Sequence, residues 1–153
     1  MYLLQFDGGS RGNPGLAAIG YVIYNNDNDN NNHNNNHNNN DIIAECSSVI
    51  STNATNNYAE YMGLLYGLIN AKCLNIKSLH VEGDSQLIIK QMKGEYNVNS
   101  KNIVYLYQQC YSIAKEFEEI TFTHIYRDNN KYADSLVNIA FDRYINKKDK
   151  ISV

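Results

Sequence analysis

Four carboxylates, each in its own short motif, are the residues of this chain whose types and spacing could do chemistry: Asp7, Glu60, Asp84 and Asp134. Asp7 follows the apolar run Tyr2-Leu3-Leu4-Gln5-Phe6 and opens the small-residue stretch Asp7-Gly8-Gly9-Ser10-Arg11-Gly12-Asn13-Pro14-Gly15. Asp84 follows a second apolar run that ends at Gly83. Glu60 lies near the start of one helical pattern, and Asp134 in the first turn of another. Carboxylates gathered in one cleft repel each other and raise each other's pKa values, and a divalent cation relieves that repulsion. Oxygen-only ligands favour magnesium or manganese, whereas no Cys/His cluster points to zinc. Two such ions about 4 Å apart can activate a water and stabilise the leaving oxygen of a phosphodiester. Singly, each carboxylate has a plainer explanation: a turn residue at Asp7, a helix cap at Asp84, helix-dipole partners at Glu60 and Asp134. The chemistry rests on the set of four.

The elements that must position them are legible as hydrophobic periods. Residues 2–6, 16–24, 42–51, 77–83 and 120–126 read as strands, the glycine-rich stretch after Phe6 as a turn. Thr55-Asn56-Asn57 is a helix-start signal for a helix over 58–72, with Ala59, Met62, Leu65 and Ile69 at helical spacing. A short helix opens at Asp84-Ser85 and is closed by Gly94. Ile103, Leu106, Tyr107, Cys110, Ile113 and Phe117 form a third helical stripe, and a last helix runs from about Lys131 to Tyr144. The order of three strands, helix, strand, two helices, strand, helix predicts an α/β fold. It is a five-stranded mixed sheet, antiparallel first and parallel later, with helices on both faces. If the strands ending in Asp7 and Asp84 are parallel neighbours, both carboxylates meet at one carboxyl edge, where open α/β sheets carry their sites.

Residues 25–40 contain twelve Asn, two Asp and two His and nothing apolar. Such a segment cannot offset its ordering entropy by burial, so it reads as a disordered insert in a hairpin loop. His33 and His37 are four apart, but a polyasparagine loop holds no helix to make ligands of them. The domain is expected over 1–146, with 147–153 as a tail. Net charge is −3, which excludes a broadly basic coat while allowing a local basic track. Three widely spaced cysteines without a CxxC pair indicate reduced thiols. No membrane span or signal peptide is legible, so an intracellular protein, in cytoplasm or nucleus, is expected.

The segments around the carboxylates resemble a known family. Asp7 to Gly15, followed by Leu16-Ala17-Ala18-Ile19-Gly20-Tyr21-Val22-Ile23, resembles the opening of type 1 ribonuclease H domains. Thr55-Asn56-Asn57-Tyr58-Ala59-Glu60-Tyr61, Val81-Glu82-Gly83-Asp84-Ser85-Gln86-Leu87 and Arg127-Asp128-Asn129-Asn130-Lys131-Tyr132-Ala133-Asp134-Ser135-Leu136 resemble its three later motifs, in the family's order. The likeness is greatest to the compact archaeal, bacterial and plant branch and spans nearly the whole chain outside the Asn insert. It implies the ribonuclease H-like fold and a metal-dependent endonuclease that hydrolyses the RNA strand of RNA–DNA hybrids, leaving a 5′-phosphate and a 3′-hydroxyl.

Residue by residue, the resemblance implies that Asp7, Glu60, Asp84 and Asp134 bind two Mg2+ ions, with Mn2+ as a substitute and Asp7 as the bridge. Asp134 would serve the ion that activates water, and Glu60 and Asp84 the ion near the leaving 3′ oxygen. Asn13, Asn57 and Gln86 match positions that touch the minor groove or RNA strand, and Thr55 a position that grips a DNA phosphate. Gly8 and Gly9 would let an RNA backbone lie close. Arg11 and Lys131 could contact phosphate or could be solvated surface charge. Arg127 is weighted above His124 as the group aiding leaving-group protonation or product release; a packed, hydrogen-bonded strand histidine is the plainer account of His124.

Two departures from better-known relatives stand out. The connection 93–101 is too short for the basic handle of some bacterial members, so hybrid affinity is expected to be modest and salt-sensitive. The first strand starts at once, so the hybrid-binding module that precedes many eukaryotic members is expected to be lacking. A monomer is expected, and the sequence identifies no protein partner. The competing readings are a catalytically inactive module that binds hybrids or duplex RNA, a nuclease of the same fold acting on duplex RNA or DNA, and an interaction domain working through the Asn-rich loop.

Overall fold

The computed structural model describes residues 1–26 and 42–151. Residues 27–41 lie outside the described residues, and with them the Asn-rich loop expected over 25–40, His33 and His37 included, except for Asn25 and Asn26. Five strands, β1 (Tyr2–Arg11), β2 (Gly15–Asn25), β3 (Ile42–Ala54), β4 (Ser78–Gly83) and β5 (Glu119–His124), form one sheet in the order β3-β2-β1-β4-β5. β1, β2 and β3 pair antiparallel, and β4 joins β1 and β5 in parallel. The mixed sheet expected from the element order is the one observed.

Alternation along the strands splits the core in two. Leu4 and Phe6 of β1, Tyr21 and Ile23 of β2, and Leu79 and Val81 of β4 share a large cluster with Leu64 and Leu68 of α1 (Asn56–Cys73). Ile88 and Ile89 of α2 (Gln86–Met92) and Leu106 and Cys110 of α3 (Lys101–Ala114) complete that layer. On the opposite face α4 (Lys131–Ile151) packs Leu136 against Leu3, Val22 and Tyr24, and Val137 and Phe141 against Ala18. Leu64 and Leu68 are wholly buried, so truncating either to Ala would cost about 2–5 kcal/mol.

Three boundaries differ from the sequence expectation. The stretch after Phe6 is strand, not turn: the β1–β2 ladder continues from Asp7↔Gly20 to Arg11↔Leu16. Only residues 12–14 turn, with positive φ at Gly12 (112°) and Asn13 (28°). A neighbouring antiparallel strand satisfies the backbone that glycine composition alone would leave open. β5 stops at His124 because Arg127–Asn129 forms a 3-10 turn. α4 continues past Tyr144 through residues expected as tail, there being no Gly or Pro between 131 and 151 to end it.

Two glycines set the layer spacing. A Cβ on Gly8 would lie 2.4 Å from the backbone carbonyl of Ala59 and 2.5 Å from the Glu60 nitrogen, so its absence brings α1 down onto β1. A Cβ on Gly20 would lie 2.4 Å from the Ala133 carbonyl oxygen, which fixes α4 equally close on the other face. Both approaches carry a carboxylate-bearing turn of helix toward the sheet edge.

Candidate active site

Parallel pairing between β1 and β4 ends at Phe6↔Gly83, and the next residue on each chain is Asp7 and Asp84. At that edge β1 continues beside β2 while β4 turns into α2, which is the switch point of the sheet. Thr55 caps α1 by accepting from the Tyr58 N–H (3.2 Å), and Glu60 follows within the first two turns. Ser85 caps α2 by accepting from the Ile88 N–H (3.3 Å), and its hydroxyl donates to the Glu60 carboxylate. One oxygen from each of Asp7, Glu60 and Asp84 lies within 4.8 Å of the others.

Asp134 stands in the first turn of α4 and lines the same cleft, a cavity of ≈450 Å³ that also takes in Gly8, Gly9, Arg11, Asn56 and Arg127. Arg127 Nη2 is 3.8 Å from Asp134 Oδ1. Burial, then the neighbouring Asp84, drive the Asp7 carboxyl up to about 8, against a hydrogen bond from the Gly8 N–H. Burial and Asp84 raise Glu60 to about 7, opposed by the Ser85 hydroxyl. Asp84 is raised by burial; the Arg127 guanidinium and a hydrogen bond from Asn130 oppose the rise. Three carboxyls held close, Asp7 buried and Glu60 and Asp84 partly so, are a site that a divalent cation would complete, because a cation favours the ionised ligands that burial disfavours.

Asn130 is a component that sequence reasoning missed. It is fully buried, its Nδ2 donates to the Phe6 carbonyl oxygen at 2.9 Å, and its side chain also bonds Asp84. It thereby ties the start of α4 to the ends of β1 and β4. The only signal available was an Asn immediately before a helix. Ser85 was legible as a cap but not as a donor to Glu60. Asn56, rather than its neighbour Asn57, lines the cleft: its Oδ1 accepts from the Ser10 N–H at 2.7 Å.

The remaining expected residues lie elsewhere. Asn13 Oδ1 accepts from the Asn56 N–H at 3.0 Å, tying the β1–β2 turn to α1. Asn57 and Gln86 are exposed in the first turns of α1 and α2, and exposed Lys131 opens α4. Thr55 borders a second cavity, ≈510 Å³, with Pro14, Asn53, Tyr58, Met62 and Asn102. His124 does not line the carboxylate cleft; its Nε2 donates to the Asp84 carbonyl oxygen at 3.2 Å. The reason for glycine at position 8 is internal, since the space its Cβ would fill belongs to α1.

A family model described as reverse transcriptase-like matches residues 5–140. The N-terminal RNase H domain of Rv2228c from Mycobacterium tuberculosis, solved as a maltose-binding-protein fusion, matches with a TM-score of 0.83 and 35% identity. The match covers 96% of this chain and 97% of that one. The chain belongs to the ribonuclease H family. RNase H1 from the archaeon Halobacterium salinarum gives a TM-score of 0.81 at 34% identity, over 93% of this ribonuclease H domain and 98% of that chain. LC11-RNase H1, solved in complex with an RNA/DNA hybrid, gives 0.81 at 32% identity over 95% and 99%. The domain spans 35% of the length of the curated M. tuberculosis bifunctional protein Rv2228c, to which it is 37% identical over 140 residues. It spans 62% of curated H. salinarum ribonuclease HI, at 35% identity over 137 residues. Among its described residues no helix is long and apolar enough to cross a membrane.

Proposed function

We propose that this ribonuclease H domain is a metal-dependent endonuclease that hydrolyses the RNA strand of RNA–DNA hybrids. The observation that carries the reading is the convergence of Asp7, Glu60 and Asp84 within 4.8 Å, in a cleft shared with Asp134 and Arg127. Family membership and the hybrid bound by LC11-RNase H1 support it.

Asp7, Glu60, Asp84 and Asp134 would hold two magnesium ions, or manganese in their place, with Asp7 shared between them. Bound there, the ions would lower the pKa of the attacking water and stabilise charge on the leaving 3′ oxygen. Ser85 and Asn130 keep Glu60 and Asp84 oriented through hydrogen bonds. Arg127, 3.8 Å from Asp134, stands where a cation can assist departure of the 3′ oxygen or release of the 5′-phosphate product. Gly9, Asn13, Asn57 and Gln86 would meet the hybrid's sugars and minor groove, Thr55 a DNA phosphate, and Lys131 a further phosphate, contacts that ignore base sequence. The domain would act as a monomer in cytoplasm or nucleus, in keeping with its free cysteines Cys46, Cys73 and Cys110.

The test is a labelled hybrid incubated with the protein and magnesium. Wild type should cut the RNA strand, and Asp84→Asn should bind the hybrid without cutting. Binding without cutting by wild type would establish the inactive-module reading instead.

A further inference from the structure

The cleft carries two arginines, and they are held differently. Arg127 sits 3.8 Å from Asp134 and opposes the burial-driven rise of the Asp84 pKa, so its charge is engaged with the carboxylates. Arg11 has no carboxylate partner among the described residues. Its guanidinium carbon lies 4.3 Å above the centroid of the Phe141 ring, and both residues line the carboxylate cleft. Phe141 is itself fixed: it is 3% exposed and packed with Ala18, Val137 and Ala140.

Asp134, Val137, Asn138 and Phe141 all line the cleft from α4. At 1.5 Å per residue, Phe141 stands about 10 Å along the helix from Asp134, so the guanidinium above it is set apart from the carboxylates. An aromatic face under a guanidinium covers one side of the cation and leaves its N–H edge pointing outward, the geometry that bonds a phosphate. A floor of carboxylates repels a polyanion, so a fixed cation beside it offsets that repulsion where the strand enters.

We propose that Arg11, seated on Phe141, is a phosphate clamp for the nucleic-acid strand entering the carboxylate cleft, and that Phe141 is the positioning residue for that clamp. The proposal rests on the hybrid-nuclease reading for its ligand. Its test is therefore made on binding, which does not require cutting.

Affinity for an RNA–DNA hybrid is measured against salt concentration in an Asp84→Asn background with magnesium present. Arg11→Ala should weaken binding about tenfold. It should also reduce the steepness of log K against log salt by roughly one, the loss of one phosphate contact. Phe141→Leu should weaken binding about two- to fivefold while Arg11 is present. It should do almost nothing once Arg11 is Ala, because its effect passes through the guanidinium. An unchanged salt slope in Arg11→Ala overturns the clamp, whether or not the Phe141 variant folds. Additive effects of the two substitutions overturn the positioning role and leave Phe141 as core packing alone. Failure of the Asp84-intact protein to cut hybrid would count against the nuclease reading, while these slopes still decide the clamp.

Discussion

Phe6 and Gly83 are the last residue pair of the parallel β1–β4 ladder, so Asp7, which stays paired with β2, and Asp84, where β4 ends, follow it side by side. Neither can move without the strands. Asp84→Asn keeps the side chain's size and its capacity to accept from Asn130 while removing its charge. Cleavage should fall by roughly 10²–10³-fold or more, with the far-UV circular dichroism unchanged. Retained activity would remove Asp84 from the catalytic set.

Asp7 is buried among like charges, so the metal-free protein should be less stable at high pH. Its folded pKa of about 8 and that of Glu60, about 7, lie above their ordinary values of 3.8 and 4.5. Between about pH 4 and 8 the folded state therefore binds more protons than the unfolded chain, and stability falls as pH rises. In EDTA, a net loss of about 2 kcal/mol would lower Tm by about 4–8 °C. Magnesium should stabilise more at pH 8 than at pH 5, since ligands must be ionised to bind it. Thermal melts at both pH values, with and without metal, check the sign.

The same repulsion predicts that Asp7→Asn abolishes cleavage yet raises the melting temperature of the metal-free protein at pH 8. A site built of repelling groups trades stability for activity. A lower Tm would mean that the Gly8 hydrogen bond to Asp7 outweighs desolvation and repulsion.

Gly8→Ala should damage the site from inside. The added Cβ meets the Ala59 carbonyl at 2.4 Å, which only a shift of α1 and Glu60 can relieve. A stability loss of about 1–3 kcal/mol is expected from overpacking, together with a fall in kcat. Denaturant unfolding and steady-state kinetics read the two effects.

Asn130→Ala removes the donor to both the Phe6 carbonyl and Asp84. Leaving buried acceptors unpaired should cost about 1–3 kcal/mol. Cleavage should drop as Asp84 loses its orientation, which kinetics on the folded fraction would register.

Much of this arrangement was legible in residue patterns. Apolar periods located the five strands and four α-helices of the described residues, though not the 3-10 turn at Arg127–Asn129, and Asp84 announced itself by following a strand and preceding a cap. Asp7 was recognised for its chemistry but misplaced locally: Gly8-Gly9 has turn composition, and only the pairing of Asp7–Arg11 with Leu16–Gly20 makes it strand. Long-range pairing also hid Asn130, whose partners Phe6 and Asp84 lie 124 and 46 positions away. The Arg11–Phe141 stack was invisible for the same reason, since nothing in a one-dimensional pattern aligns β1 with the third turn of α4.

The central claim is tested most directly by one substrate panel. End-labelled RNA annealed to DNA, the same RNA annealed to RNA, and the corresponding DNA duplex are each incubated with the protein and magnesium. Cleavage of the RNA strand in the hybrid alone, leaving 5′-phosphate and 3′-hydroxyl ends, is the predicted result. Equal cutting of duplex RNA, or no cutting of the hybrid, would contradict it.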